Sequence, residues 1–429
     1  MLNRNQQPKI RPIEPILIPS PEKQIMPNGI PLYLFQTGEE EVVRLDILIK
    51  GGQWNQTQPL QAMFTNRMLR EGTTRFTSAE IAEKLDYYGT WLDLSSSMNY
   101  GYVTLYSLNK YFPQTVEVVQ SLIMEPLFPE KELSIAIEKN KQQFTVNNSK
   151  VDVLARKELN RSLFGTEHPC GKYASIEDYD LLTKGVLQRF HCQYYHSNNC
   201  TLYLSGKITP EIVREVEKTF GHSQWGNISI FQNQNTYTLH TKPEKRIQIE
   251  RDDAMQSAIC MGNITIDRKH PDFLKLRVMV TLFGGYFGSR LMSNIREEKG
   301  YTYGIGAGIV SYPECSMIII STQAANEYAE PIIQEVYYEV DRLQNEPVSD
   351  KELSMVKNYM MGENCRNYEG PFSLADAYIY LQSSGLDNGF LSRLQQAIKE
   401  TTASDIQRLA HTYLIKEQLK EIIVGKVKR

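Results

Sequence analysis

The chain has 429 residues, 41% hydrophobic and 23% charged, an ordinary globular composition in a length that exceeds what one hydrophobic core usually serves. Its 47 Lys and Arg against 50 Asp and Glu leave a formal charge of −3, so no basic face recommends it to nucleic acid. Six cysteines without CxxC or CxxxH spacing argue against a disulfide framework and a thiolate zinc site, and for a reducing compartment.

No segment reaches ~18 uninterrupted apolar residues, and the first residues lack the apolar run of a signal peptide, so a soluble, cytoplasmic protein without membrane contact is expected. Residues 1–28 are polar and proline-spaced and read as an extended arm. Strands are predicted over 30–35 and 42–50, around an acidic turn. From 58 to 71, Leu60, Met63, Phe64 and Met68 recur at helical spacing, with Thr57 placed to cap the start and Gly72 to end the helix. A helix over 78–88 and strands over 91–96 and 101–108 follow. Helices over 110–124, 129–147, 151–164 and 183–195 then lead to a strand over 200–205 and a helix over 210–220. The Asn/Gln-rich stretch from 222 has little periodicity and is taken, through residue 245, as a linker.

Strands over 246–250 and 256–261 and a helix over 271–283 open the second half, followed by a strand over 316–323 and helices over 327–344 and 350–364. The run EKELSIAIEKN at 130–140 matches DKELSMVKNYM at 350–360, the mark of a duplication. The fold class that follows is α+β: two homologous domains, 29–221 and 246–429, each a mostly antiparallel sheet with helices on one face.

Residues 282–308 punctuate the second half. Gly284, Gly285 and Gly288 interrupt an apolar helical run, Ser289 can cap the helix that follows, and Gly300 can end it in a left-handed conformation. The composition then becomes that of a strand, which puts Arg296 and Tyr303 across a helix-to-strand corner where both can face one cleft. By themselves, Arg296 in the run Arg-Glu-Glu-Lys equally fits a solvated helix face, and Tyr303 an ordinary strand aromatic.

The stretch GGYFGSRL followed by IREEKGYTYGIG resembles the C-terminal signature of the insulinase/pitrilysin zinc metallopeptidases. The resemblance implies a duplicated αβ roll, and it makes Arg296 and Tyr303 the pair that holds a peptide backbone beside the turn of Gly284, Gly285 and Gly288. Active members of the family carry His-x-x-Glu-His shortly before a Gly-Thr like Gly72-Thr73. Two imidazoles four apart on one helix face hold zinc, and the Glu takes a proton from metal-bound water. The matching positions here are Met63, Asn66 and Arg67. A thioether is a poor zinc ligand, an amide is not a base, and a guanidinium repels the metal. The carboxylate ligand that the family supplies from a later helix is expected near Gln142-Gln143-Phe144, where no acid occurs. His168, in the run EHPCG, resembles a structural turn of the family.

By resemblance, then, the chain is expected to bind no zinc and to serve as the non-catalytic, substrate-binding subunit of a peptidase. Its partner is a separate chain that bears zinc on His-x-x-Glu-His, and its substrate is a peptide. The alternative is an inactive structural or peptide-binding scaffold, possibly homodimeric. No Gly-x-Ser-x-Gly elbow or Cys/His pair supports another nucleophile.

Overall fold

The computed structural model describes residue 13, residues 18–227 and residues 237–426. In the first half β1 (Glu22–Ile25), β2 (Pro31–Gln36) and β3 (Val42–Lys50) precede α1 (Gln61–Arg67) and α2 (Ser78–Tyr87). Next come β4 (Trp91–Ser96), β5 (Tyr100–Leu108), α3 (Phe112–Met124), α4 (Glu130–Asn148), α5 (Val151–Phe164), α6 (Lys184–Tyr194), β6 (Cys200–Gly206) and α7 (Pro210–Val216). The second half holds β7 (Arg246–Glu250), β8 (Gln256–Thr265), α8 (Phe273–Val280), β9 (Thr302–Ser311) and β10 (Ser316–Ala325). It continues with α9 (Ala329–Asn345), α10 (Asp350–Asn367), α11 (Gly370–Ser383), α12 (Phe390–Glu400), α13 (Ala403–Tyr413) and β11 (Lys420–Gly425).

The sheets run β1-β2-β6-β3-β5-β4 and β7-β11-β8-β10-β9. Apart from β1 they share one strand order and pairing pattern: β2 and β6 are parallel, as are β7 and β11, and the other neighbours are antiparallel. The helices α4 and α10 begin at Glu130 and Asp350, the positions that the internal repeat aligns. The central strands β3 and β8 are buried along almost their whole length, as strands covered on both faces must be.

The two-domain α+β fold is as expected, and the double cover is an addition to it. The second face of each sheet receives a helix from the other half. Ala155, Leu159 and Leu163 of α5 share one buried cluster with Ala258 and Cys260 of β8 and with Ile422 and Val424 of β11. Reciprocally, Leu374, Ala375 and Tyr378 of α11 pack on Phe35, Leu48 and Tyr203 of the first sheet. Each half thus leaves apolar sheet surface that only the other half covers. An ionic latch reinforces the second contact: the buried Arg44 guanidinium on β3 donates to Asp46 at 2.7 Å, to the Tyr106 hydroxyl at 3.1 Å and to Asp376 of α11 at 2.7 Å.

Other departures are local. Residues 22–25 of the expected arm pair with β2 as an edge strand, while residues 1–12 and 14–17 lie outside the described residues. Of the expected linker, residues 228–236 likewise lie outside; beyond them the chain is tied to the first half by Tyr237, whose hydroxyl donates to the Trp54 carbonyl at 3.2 Å, and by Lys242, whose amide donates to the Ser162 carbonyl at 2.8 Å. Thr57 does not cap α1. Its amide and hydroxyl both donate to the Gln61 side chain at 3.0 Å, and the helix opens from Leu60 with a φ of 71°. Its last turn tightens to a 3₁₀ turn, Met68–Glu71, and Gly72 ends it at a φ of 137°. No helix of the described residues is long and apolar enough to cross a membrane.

Candidate functional site

Met63 and Arg67, four residues apart on α1, present one face to α4. Arg67 donates from Nη1 to Asn140 Oδ1 at 2.9 Å, and Met63 shares the wall of a cavity of about 410 Å³ with Phe144. The position opposite Arg67 is therefore Asn140, upstream of the expected Gln142-Gln143-Phe144. Asn66 turns inward. It is 1% exposed, and its Nδ2 donates to the Tyr102 carbonyl at 3.3 Å and to the Tyr195 hydroxyl at 3.2 Å. Burial pushes the Tyr195 phenol up, so it stays neutral. Gly101 leaves the room for this arrangement, since a Cβ there would sit 2.9 Å from the Tyr195 hydroxyl.

These side chains do not fit zinc. The helix face that would supply two imidazoles supplies a thioether and a fixed cation, and the facing helix supplies an amide and a phenyl ring. Among the described residues no three His, Cys, Asp or Glu side chains are grouped to hold a metal. Two of the histidines have structural partners: His168 accepts from the Cys170 amide at 3.1 Å and stacks on Phe164, and His191 Nε2 lies 2.8 Å from the Ile123 carbonyl.

Beside Met63 lies a cleft between the halves. The cavity under α1 adjoins one of about 630 Å³, and the two share Arg156, Lys157 and Tyr173 as walls. The larger cavity is lined also by Tyr303 and Gly304 of β9, Gln323 of β10 and Cys260 of β8. Met63 thus lines one of these adjoining cavities and Tyr303 the other. Lys157 extends between the rings of Phe144, at 5.0 Å, and Tyr173, at 5.5 Å. Burial, and then the nearby Arg161, lower its pKa. Burial pushes Tyr173 up to about 12. Among the described residues neither Arg156 nor Lys157 pairs with a carboxylate. Sequence reading passed over both because they lie in the first half and line a cavity with residues of the second. The available signal was their place beside the Ala155/Leu159/Leu163 stripe, which sets them at the margin of a buried helix face.

A register shift between β9 and β10 at Thr322 and Ala324 presents Tyr303 to solvent, with 94% of its surface exposed, as a bulge at a sheet edge re-aims a side chain. Arg296 lines neither cavity. It sits on a π-type turn, Met292–Glu298, with its guanidinium 4.5 Å from the centre of the Phe287 ring. The three glycines pack differently. A Cβ at Gly284 would lie 2.6 Å from the Ala307 Cβ on β9, one at Gly285 would press on Thr281 at 3.2 Å, and one at Gly288 would meet the Tyr286 ring at 2.9 Å. The Ser289 hydroxyl is buried without a hydrogen-bond partner, so it is not the expected cap; Gly300, at a φ of 69°, does end the turn.

Comparison with known proteins agrees with this architecture. A family model described as Insulinase (Peptidase family M16) matches residues 34–169, and one described as Peptidase M16 inactive domain matches residues 182–360. A Bacillus subtilis protein named "Uncharacterized zinc protease YmxG" is 21% identical over 89% of this chain and 92% of its own. Another from the same organism, named "Probable inactive metalloprotease YmfF", is 22% identical over 56% of this chain and 57% of its own. Among solved structures, a Helicobacter pylori protease aligns with a TM-score of 0.84 at 16% identity, over 95% of this chain and 100% of that one. A peptidase M16 inactive domain from Pseudomonas fluorescens aligns at 0.82 and 20%, over 95% and 98%.

Proposed function

The chain belongs to the insulinase (M16) family of peptidases, and from that premise we propose that it is a non-catalytic subunit that binds peptide for a zinc-bearing partner of the same family. The observation that carries this reading is the pairing of Arg67 with Asn140 across the α1–α4 face beside two adjoining cavities, one lined by Met63 and the other by Tyr303. The chemistry for metal is gone while the room for substrate remains. The partner supplies the hydrolytic centre, and this chain supplies the wall that holds the peptide.

Three features suit that wall to an extended peptide. The edge strand β9 carries Gly304 and Gly308, where an added Cβ would meet nothing within 4 Å and φ is not positive. Neither packing nor backbone conformation demands glycine at these positions, and their bareness lets another backbone approach closely. The exposed Tyr303 hydroxyl can donate to a peptide carbonyl. Arg156 and Lys157, free of carboxylate partners among the described residues, offer cations to peptide carbonyls or acidic side chains. Arg296 is assigned the peptide-facing role of the family's arginine, and Gly284 that of seating the turn against β9 so that Arg296 and Tyr303 keep their places.

The test is peptide turnover by this chain assembled with a relative that carries His-x-x-Glu-His. Tyr303→Phe and Arg296→Ala are expected to lower turnover, by up to ~10²-fold if the donors act on developing charge, with the assembly unchanged by size-exclusion chromatography. Turnover equal to that of the unaltered pair would sink the substrate-holding role and leave a structural scaffold as the better reading.

A further inference from the structure

Away from the cleft, a cavity of about 640 Å³ opens among α8, α10, α11 and α12, within the size range of small-molecule sites. Its walls include Arg277 of α8, Asn364 of α10, Tyr368, Tyr380 of α11, and Phe390 and Leu394 of α12. Arg277 is partly buried, and no described residue accepts a hydrogen bond from its guanidinium or forms an ion pair with it. Asn364 is 7% exposed, and its Nδ2 has no hydrogen-bond partner. The other charged groups lining the cavity are engaged elsewhere: Asp376 accepts from the buried Arg44 at 2.7 Å, and Arg366 is paired with Glu363.

An unpaired guanidinium and an unpaired amide N–H in one cavity are costly to keep, since each has lost water without gaining an acceptor. Burial pulls the Arg277 pKa down. The phenol rings of Tyr368 and Tyr380 flank Arg277 without neutralising it, and Arg268 beyond them adds a second positive charge. The unfilled requirement is thus for an acceptor with two lone-pair-bearing oxygens and a negative charge, and the remaining wall is aromatic and aliphatic. We propose that this cavity binds a small organic acid through its carboxylate, held by Arg277 in a bidentate pair and by Asn364 Nδ2, with an apolar body against Phe390, Leu394 and Tyr380.

Titration calorimetry on the full chain with N-acetyl-phenylalanine, its primary amide and inorganic phosphate tests this. Saturable binding of the free acid is expected, with at least about tenfold weaker binding of the amide and of phosphate, and about tenfold weaker binding of the acid to Arg277→Met. Arg277→Lys should bind with intermediate strength, because it keeps the charge and loses the fork. Thermal melting supplies the second readout. Arg277→Met should melt higher than the unaltered chain in the absence of ligand, since it removes an unpaired cation. No saturable binding of the acid, equal binding of acid and amide, phosphate binding as tight as the acid, or undiminished binding to Arg277→Met would each overturn the proposal.

Discussion

Arg67 of α1 and Asn140 of α4 are joined by a hydrogen bond of 2.9 Å across the helix face that, in zinc-bearing relatives, is expected to hold the metal. The pair sets the register of the two helices, because Met63 and Phe144, each four residues further along its own helix in opposite directions, line the same cavity. A donor set rebuilt at these positions, Met63→His, Arg67→His and Asn140→Glu, is expected to take up about one zinc per chain, whereas the double variant without Asn140→Glu binds it far more weakly. Atomic absorption after dialysis reads the difference. Equal zinc in the two variants would mean that α4 does not face the site at Asn140.

The latch at Arg44 gives a second expectation. The guanidinium is 2% exposed, Asp46 is 6% exposed at its side chain and Asp376 is 66%. Arg44→Met strands Asp46 in the core and should cost about 3–5 kcal/mol in urea unfolding. Asp376→Asn, on the solvent side, should cost about 1 kcal/mol or less. A similar loss in both would contradict the assignment of Asp46 as the buried partner.

His191 predicts the acid limb of stability. Burial is the leading cause that takes its pKa from the ordinary ~6.5 down to about 4, with the Ile123 carbonyl working in the opposite direction. The folded state therefore favours the neutral ring. The stabilisation is complete above about pH 6.5 and is lost as pH falls towards about 4, a difference on the order of 3 kcal/mol. Replacement by Gln, which cannot take up the proton, should flatten that limb of the stability profile measured by chemical unfolding. An unchanged limb would place the titration elsewhere.

Two glycines separate packing from binding. Gly284→Ala should lose about 1–3 kcal/mol, because its Cβ would fall 2.6 Å from Ala307 Cβ and 2.7 Å from the Ala307 amide nitrogen. Gly308→Val should leave stability within about 1 kcal/mol while lowering peptide turnover of the assembled pair, because the added side chain stands in open space beside the edge strand. Melting curves and turnover on the same samples distinguish the two effects.

The local fold was largely legible in the sequence, because hydrophobic period and glycine punctuation act at short range. The helix over 78–88 is stopped by Gly89 at a φ of 60°, and β3 reads as an apolar run because it is covered on both faces. The exchange of α5 and α11 between halves was not legible. Leu159 and Leu374 are equally apolar whichever sheet they cover, and only the tertiary arrangement decides that their partners are Cys260 and Tyr203. No elements were assigned beyond residue 364, although α12 has the alternation expected of an amphipathic helix, with Leu391, Leu394 and Ile398 inward. Met63, Asn66 and Arg67 stand out through a local pattern, while Arg156, Lys157 and Tyr173 do not, because their place in the cavity walls arises from the second half passing over α5.

The most direct test of the central claim is zinc content and peptidase activity of the purified chain, alone and mixed with a relative that carries His-x-x-Glu-His. A zinc-free chain, inactive alone, that raises peptide turnover when mixed with the relative is the expected result. Stoichiometric zinc with activity in the chain alone would contradict it, and so would a mixture no more active than the relative by itself.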